Sequence, residues 1–406
     1  MTDICENCRP LFEKLMKRID ELEKRLAAYE NAHTPYSHRI FKPRSKPTNG
    51  KLGRPKGFVG STRPVPKPDK QVEKKLDKCP DCDTKLKFLY KESIVIEEIP
   101  EPQPVTVIEF VTNHYKCSKC GEIIAKPDDC PDNGRFGNNA LAHCSIMKFE
   151  ERLTFRKIRD SLKRDYDIEI TPSSIMNMTR NVHKKLEPEH RKLIAKIRHS
   201  KCVYADETSM RISGINHWIW IFVGDNAVLC VIRKNRGKKV VKEILDGYKG
   251  ILVCDGWKSY TQFGFTIQRC WAHLIREARE VESEKLYELL CKLFADAKIG
   301  LSRAVAEERL RKIISRRYKG EKSMKLIKKI RNGFKSWFTF LDYGFVESTN
   351  NTAEQALREH VVIRKIIGGL RSLEGAKVHE VIMSCFATWK VQGLNVFDTL
   401  VKYLRS

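Results

Sequence analysis

Three carboxylates, Asp206, Asp255 and Glu354, have the type and spacing to do chemistry in this 406-residue chain. Asp206 closes the apolar run KCVYA and precedes a Thr/Ser-rich stretch that reads as a turn before a second apolar run, His217 to Val223. Asp255 closes a similar run, GILVC, at residues 250–254. Glu354 follows Ser348 to Asn351, which supply turn and N-cap chemistry, so it stands in the first turn of a helix. A carboxylate at the end of a buried strand is costly unless something cationic meets it. Two strand-end acids and one helix acid suit a pair of hard divalent cations, Mg²⁺ or Mn²⁺. Ions about 3.5 to 4 Å apart stabilise both the attacking and the leaving oxygen of an in-line phosphoryl displacement.

Taken singly, each acid has a plainer reading. Asp255-Gly256 is a common turn, and an acid in the first turn of a helix suits the macrodipole. The chain carries no GxxxxGK[ST] loop, no HExxH and no GxSxG elbow that would offer a competing mechanism. Glu207 is expected to point away from the site, because successive side chains of a strand face opposite ways.

A second chemical pattern lies upstream. Cys79-Pro-Asp-Cys82 and Cys117-Ser-Lys-Cys120 can each present two thiolates to one tetrahedral zinc ion. Between them, residues 94–99 and 105–115 alternate apolar and polar as a hairpin, with the turn at 100–104, so the spacing predicts a zinc ribbon. Such a closed site holds a fold together and does no chemistry. Cys5 and Cys8 form a lone pair and read as incidental. Cysteines scattered in apolar runs, such as Cys202, Cys230, Cys254 and Cys385, read as reduced core residues.

The remaining elements are those that would deliver a polyanion to these sites. The chain has 77 Lys and Arg against 51 Asp and Glu, a net +26, with 41% hydrophobic residues. That combination allows a sizeable core and points to a polyanionic partner, nucleic acid first, with a basic ribosomal-type or membrane-surface protein also compatible with the charge alone. The chain shows no signal peptide and no apolar run near the ~20 residues of a membrane span, and so reads as a soluble protein without a membrane partner. Phe12, Leu15, Ile19, Leu22, Leu26 and Tyr29 follow heptad spacing. A dimerising coiled coil and a single amphipathic helix fit this equally. Residues 35–75 hold seven prolines, twelve Lys/Arg and two acids, a basic linker too poor in apolar surface to order itself. Within it Arg54 and Lys56, in Gly-Arg-Pro-Lys-Gly, resemble the core of a minor-groove hook, although a linker touching phosphates without reading sequence fits as well. Helical periodicity over 153–164 and from Thr171 through Leu186 suggests a helix-turn-helix, or a plain helical pair, with Arg180 and Lys184 on the exposed face of the second helix. An αβ region follows, with strands near 201–206, 217–223, 227–233, 250–255 and 266–270 and a helix over 238–248. About 75 helical residues come next, in which 298–335 carry fourteen Lys/Arg and three acids.

Ala205-Asp206-Glu207-Thr208, Cys254-Asp255-Gly256, Cys270-Trp271-Ala272-His273-Leu274 followed by Arg276, and Asn350-Asn351 before Glu354 together resemble the DDE transposases of the insertion-sequence sixty-six family. The resemblance covers most of the chain. It implies a multidomain α/β protein with an RNase H-like mixed-sheet catalytic core. The expected segments are a coiled coil over 1–32, a basic linker over 33–76, a zinc ribbon over 77–135 and a helix-turn-helix-like DNA-binding segment over 136–198. The catalytic domain follows over 199–372, with a helical insertion at about 274–346, and helices close the chain over 373–406. The resemblance makes Asp206, Asp255 and Glu354 the ligands of catalytic Mg²⁺ or Mn²⁺. It implies cleavage at the ends of a mobile element and attack of the freed 3′-hydroxyl on target DNA. A homo-oligomer on double-stranded DNA and a place on a prokaryotic chromosome in the cytoplasm go with it. Cys270 and His273 are too few for a metal site and are expected to shape the core near the DNA. A non-catalytic DNA-binding regulator leaves the three acids unexplained, and a nuclease that cuts without joining shares them.

Overall fold

The computed structural model describes residues 16, 18, 66–97, 101–127, 130–131, 134–256, 259–260 and 263–405. Apart from residues 16 and 18, the heptad segment lies outside the described residues, as do Cys5, Cys8, Arg54 and Lys56. The chain divides into two units, 43–104 and the remainder. In the first, the Cys79–Cys82 stretch is a tight turn in which Cys79 donates its N–H to the Thr84 carbonyl at 2.9 Å.

In the second unit, β1 (Asn113–Cys117) and β2 (Gly121–Ala125) form an antiparallel hairpin whose connection is the Cys117–Cys120 knuckle itself. This differs from the hairpin expected between the two cysteine pairs, since residues 94–97 and 101–112 are not strands. Their apolar side chains, Ile94, Ile96, Val107 and Ile108 among them, are exposed. Alternation alone does not make a strand that lacks a surface to bury against.

Three helices follow: α1 (Asn138–Phe149), α2 (Phe155–Tyr166) and α3 (Pro172–His199). Thr154 caps α2 and Thr171 caps α3 through their hydroxyls, the latter with Pro172 at the start of the helix. α3 runs on through Pro188 to His199, well past the expected end near Leu186. Its apolar stripe explains the extension: Ile175, Val182, Leu186, Leu193 and Ile197 are all fully buried. These side chains join one core with Val203, Trp220, Phe222 and Leu252, so the helices of 138–199 pack on the sheet and have no separate core of their own.

The sheet has five strands in the order β5-β4-β3-β6-β7. β3 (Cys202–Ile212), β4 (Ile215–Val223) and β5 (Val228–Arg233) are an antiparallel meander. Helix α4 (Lys238–Leu245) crosses over to β6 (Ile251–Cys254), which runs parallel to β3, and β7 (Thr266–Arg269) runs parallel to β6. Both faces are covered. Ala205, Trp220, Phe222, Leu229 and Val231 point into the core shared with α3 and α4. Met210, Ile219, Ile221, Cys230 and Ile232 point to the opposite face.

After β7, the helices α5 (Trp271–Arg279), α6 (Glu284–Ile299), α7 (Arg303–Ile314) and α8 (Glu321–Asn332), with a short turn of helix α9 (Thr339–Asp342), pack around a separate core. Trp271 anchors it, stacking on Phe294 at 5.0 Å and donating its indole N–H to the Trp337 carbonyl. The chain returns as α10 (Asn351–Ile367), α11 (Leu373–Val391) and α12 (Val396–Arg405), the last two separated by Gly393 at φ +71°.

Helix α11 lies along the edge strand β5 and completes its hydrogen bonding. Thr388 Oγ1 accepts the N–H of Val228 at 3.0 Å, Ser384 Oγ that of Cys230 at 2.8 Å, and Glu380 Oε1 that of Ile232. Four residues of helix advance about 6 Å and two residues of strand nearly 7 Å, so three helical side chains keep step with alternate strand amides. The free edge is thereby closed to other strands.

Candidate active site

In the parallel pairing of β3 and β6, Tyr204 stands opposite Val253. Asp206 and Asp255 are each two residues further on, so their side chains leave the sheet side by side on one face. Asp206 is not at a strand end as expected. β3 continues for six residues beyond it, and the turn into β4 falls at Ser213-Gly214, both at positive φ. Asp255 does follow the last residue of β6, and Gly256 after it takes φ +85°, a conformation that favours glycine.

Helix α10 crosses the same face. Its Leu357 packs among Met210, Ile219 and Ile221, and Glu354, almost one turn earlier, is brought over Asp206 and Asp255. Asn350 fixes the start of this helix. Its side chain does not cap α10, as the turn residues suggested. Instead its Nδ2 donates to the Ala205 carbonyl at 2.9 Å, while its backbone N–H meets Cys270 Sγ at 3.1 Å.

The three acids are near enough to act on one another's charge, although among the described residues their oxygens are not gathered within 4.8 Å of one another. The Asp206 carboxyl is pushed up to about 8, first by burial, then by the charge of Glu207, with Asp255 and Glu354 adding to it. Three acids repelling one another in a partly buried site call for a cation. The donor set is all oxygen, and Glu354 Oε1 is buried with no hydrogen-bond partner, so these residues fit a hard divalent ion.

Glu207 points to the opposite face, as alternation requires, and is held there. Arg236 Nε donates to its Oε1 at 2.8 Å and the Tyr260 hydroxyl donates to its Oε2. Its side chain is 1% exposed. The Arg236 guanidinium also covers the Trp218 ring at 4.7 Å. Tyr260 lies five residues after Asp255 in the chain, so this network joins that part of the sequence to the strand of Asp206.

His273 and Cys270 are closer to the acids than expected. His273 Nδ1 is 3.5 Å from Glu354 Oε1, and Arg276 stands 4.0 Å from Oε2. Among the described residues, Cys270, His273 and Glu354 bring one sulfur, one nitrogen and one oxygen within 4.8 Å of one another. Glu354 comes to Cys270 and His273 from a helix some eighty residues on, a neighbour that the Cys-x-x-His spacing does not disclose. Burial lowers His273, which keeps its ring neutral near neutral pH, and pushes the Cys270 thiol up to about 11.

Other residues singled out from the sequence fall elsewhere. Arg180 is engaged by Glu374 at 2.7 Å and by Asn177 at 2.8 Å, whereas Lys184 is exposed. Cys82 and Cys117 lie below the usual thiol range. Hydrogen bonding with Thr84 lowers Cys82, and the backbone N–H groups of Cys120 and Lys119 lower Cys117. Sequence reasoning gives Arg236 and Tyr260 no role, reads Asn350 as turn and N-cap chemistry, and places Glu207 only as facing away. The Asn pair was visible in the sequence, but its target, the Ala205 carbonyl, becomes visible only once the helix is laid on the sheet.

Among the described residues, no helix is long and apolar enough to cross a membrane. Comparison with curated proteins gives no match. Residues 133–378, more than half of the chain and all three acids with it, match the family described as Transposase IS66 family, and the chain belongs to that family.

Proposed function

We propose that this transposase cleaves the ends of an insertion sequence and joins the freed 3′-hydroxyls to target DNA through two-metal phosphoryl transfer at Asp206, Asp255 and Glu354. The observation that supports the reading is the parallel pairing of β3 with β6, which puts Tyr204 opposite Val253, two residues before Asp206 on β3 and two before Asp255 just past the end of β6, with Glu354 in the first turn of α10. The strand order β5-β4-β3-β6-β7, three antiparallel strands followed by two parallel ones, supports an RNase H-like core. Bound magnesium or manganese would polarise the scissile phosphate and neutralise charge on the attacking and leaving oxygens.

The protein's own part is to hold and orient. Asp206 and Asp255 supply oxygens from a rigid sheet, and Glu354 supplies its own from a helix pinned to that sheet by Asn350. The Glu207–Arg236–Tyr260 network joins the sequence after Asp255 to the strand of Asp206. DNA phosphates are met by basic side chains. Lys184 is the readier of the two α3 candidates, because Arg180 is already paired. The Lys- and Arg-rich insertion helices add positive field, and Arg54 and Lys56 in the linker remain candidates for phosphate or minor-groove contact. The spacing of each Cys-x-x-Cys knuckle supports zinc binding by Cys79 and Cys82 and by Cys117 and Cys120.

A strand-transfer assay with pre-cleaved element ends in Mg²⁺ separates this reading from a nuclease. Joined products are expected. Cleavage of intact ends with no joining of pre-cleaved ones would leave a nuclease.

A further inference from the structure

Cys270, His273 and Glu354 form a group that hard-cation chemistry does not use. A thiolate and an imidazole are poor ligands for magnesium but good ones for zinc, which takes sulfur, nitrogen and oxygen in a tetrahedron. Cys270 immediately precedes α5 and His273 is on its first turn, so a Cys-x-x-His spacing turns both side chains toward the start of α10. The backbone N–H of Asn350 donates to Cys270 Sγ at 3.1 Å, a contact that a metal-bound sulfur can keep. The buried atoms His273 Nδ1 and Glu354 Oε1 have no hydrogen-bond partner, although they lie 3.5 Å apart. Asn350, whose N–H reaches the same sulfur, also has a buried side-chain oxygen without a partner.

We propose that Cys270, His273 and Glu354 bind one zinc ion with a fourth position open to solvent or substrate, and that this ion competes with the catalytic cations for Glu354. On binding, the Cys270 thiol gives up its proton to water and its sulfur becomes a ligand, while His273 binds through a neutral ring nitrogen. Zinc in this place occupies Glu354 Oε1 and so switches off magnesium-supported cleavage. That consequence rests on Glu354 acting as a catalytic ligand; the zinc site itself does not.

The test uses the full chain without DNA, equilibrated with excess zinc, passed through a desalting column and analysed for metal, beside Cys270→Ser, His273→Gln and Glu354→Gln. Each variant whose circular dichroism matches the wild type is expected to lose one zinc per chain, with any zinc held by Cys79, Cys82, Cys117 and Cys120 unchanged. In cobalt, Cys270→Ser is expected to lose part of the thiolate charge-transfer absorption. Equal zinc content in the wild type and in the folded variants overturns the proposal. A Glu354→Gln protein that loses cleavage but keeps all its zinc overturns it while leaving the catalytic reading intact.

Discussion

The Asn350 side chain donates its Nδ2 to the carbonyl oxygen of Ala205 at 2.9 Å, which fixes the first turn of the helix carrying Glu354 against the residue before Asp206. Two of the three acids are thus positioned by one fully buried amide. Asn350→Ala leaves that carbonyl buried and unpaired, at a cost of about 1 to 3 kcal/mol. The expected outcome is a lower urea midpoint together with a fall in the rate of strand cleavage. An unchanged rate in a folded Asn350→Ala protein would mean that the amide does not position Glu354.

The Glu207 carboxylate is buried with Arg236 and Tyr260 as its partners. Removing one member of such a set leaves an uncompensated buried charge, so Arg236→Ala is expected to cost roughly 3 kcal/mol. Tyr260→Phe, which removes one hydrogen bond to a charged group, is expected to cost about 2 kcal/mol. Chemical denaturation of the two variants measures both, and equal losses would contradict the assigned roles.

The polar ladder of Glu380, Ser384 and Thr388 makes another stability prediction. Ser384 Oγ accepts the Cys230 N–H at 2.8 Å, and both groups are buried. Ser384→Ala should therefore destabilise by about 1 to 3 kcal/mol, far more than an exposed Ser→Ala change. A thermal melt within a degree of the wild type would show that β5 does not depend on α11 for its amides.

His360 and His379 face each other at 2.9 Å inside the protein, and Lys148 bears on the second of them. Burial lowers His360 from 6.5 to about 4 and takes His379 well below its usual value. The unfolded chain binds protons that the folded pair refuses. Their contribution to stability is therefore complete above pH 6.5 and is lost as the pH falls from there through about 4. For His360 alone the loss is about 3 kcal/mol. Melting temperature against pH should fall less steeply over that interval in a His360→Leu/His379→Leu double variant than in the wild type. Parallel curves would place the pair elsewhere in the titration.

Much of the core was legible because its patterns are local. HWIWIFV has the apolar, β-branched and aromatic content of a central strand, and the helix between the meander and β6 follows from its periodicity. Acids after apolar runs marked Asp206 and Asp255, although the Thr/Ser stretch after Asp206 resembled a turn. It is strand because Met210 and Ile212 alternate into the core and only Ser213-Gly214 takes turn conformations. The alternation at 94–97 and 105–112 forms no strand for the opposite reason, since Ile94, Ile96, Val107 and Ile108 are exposed. What the sequence did not disclose is chiefly long-range. Cys270 with Glu354, Asn350 with Ala205 and the α11 ladder on β5 join residues 80 to 160 positions apart, which no periodicity records.

Asp206, Asp255 and Glu354 are proposed to act together on DNA. The most direct test is magnesium-dependent cleavage of element-end DNA by the wild type and by Asp206→Asn, Asp255→Asn and Glu354→Gln, with DNA binding measured on the same preparations. Each substitution is expected to abolish cleavage while binding persists. Wild-type cleavage by any one of the three variants would contradict that joint role.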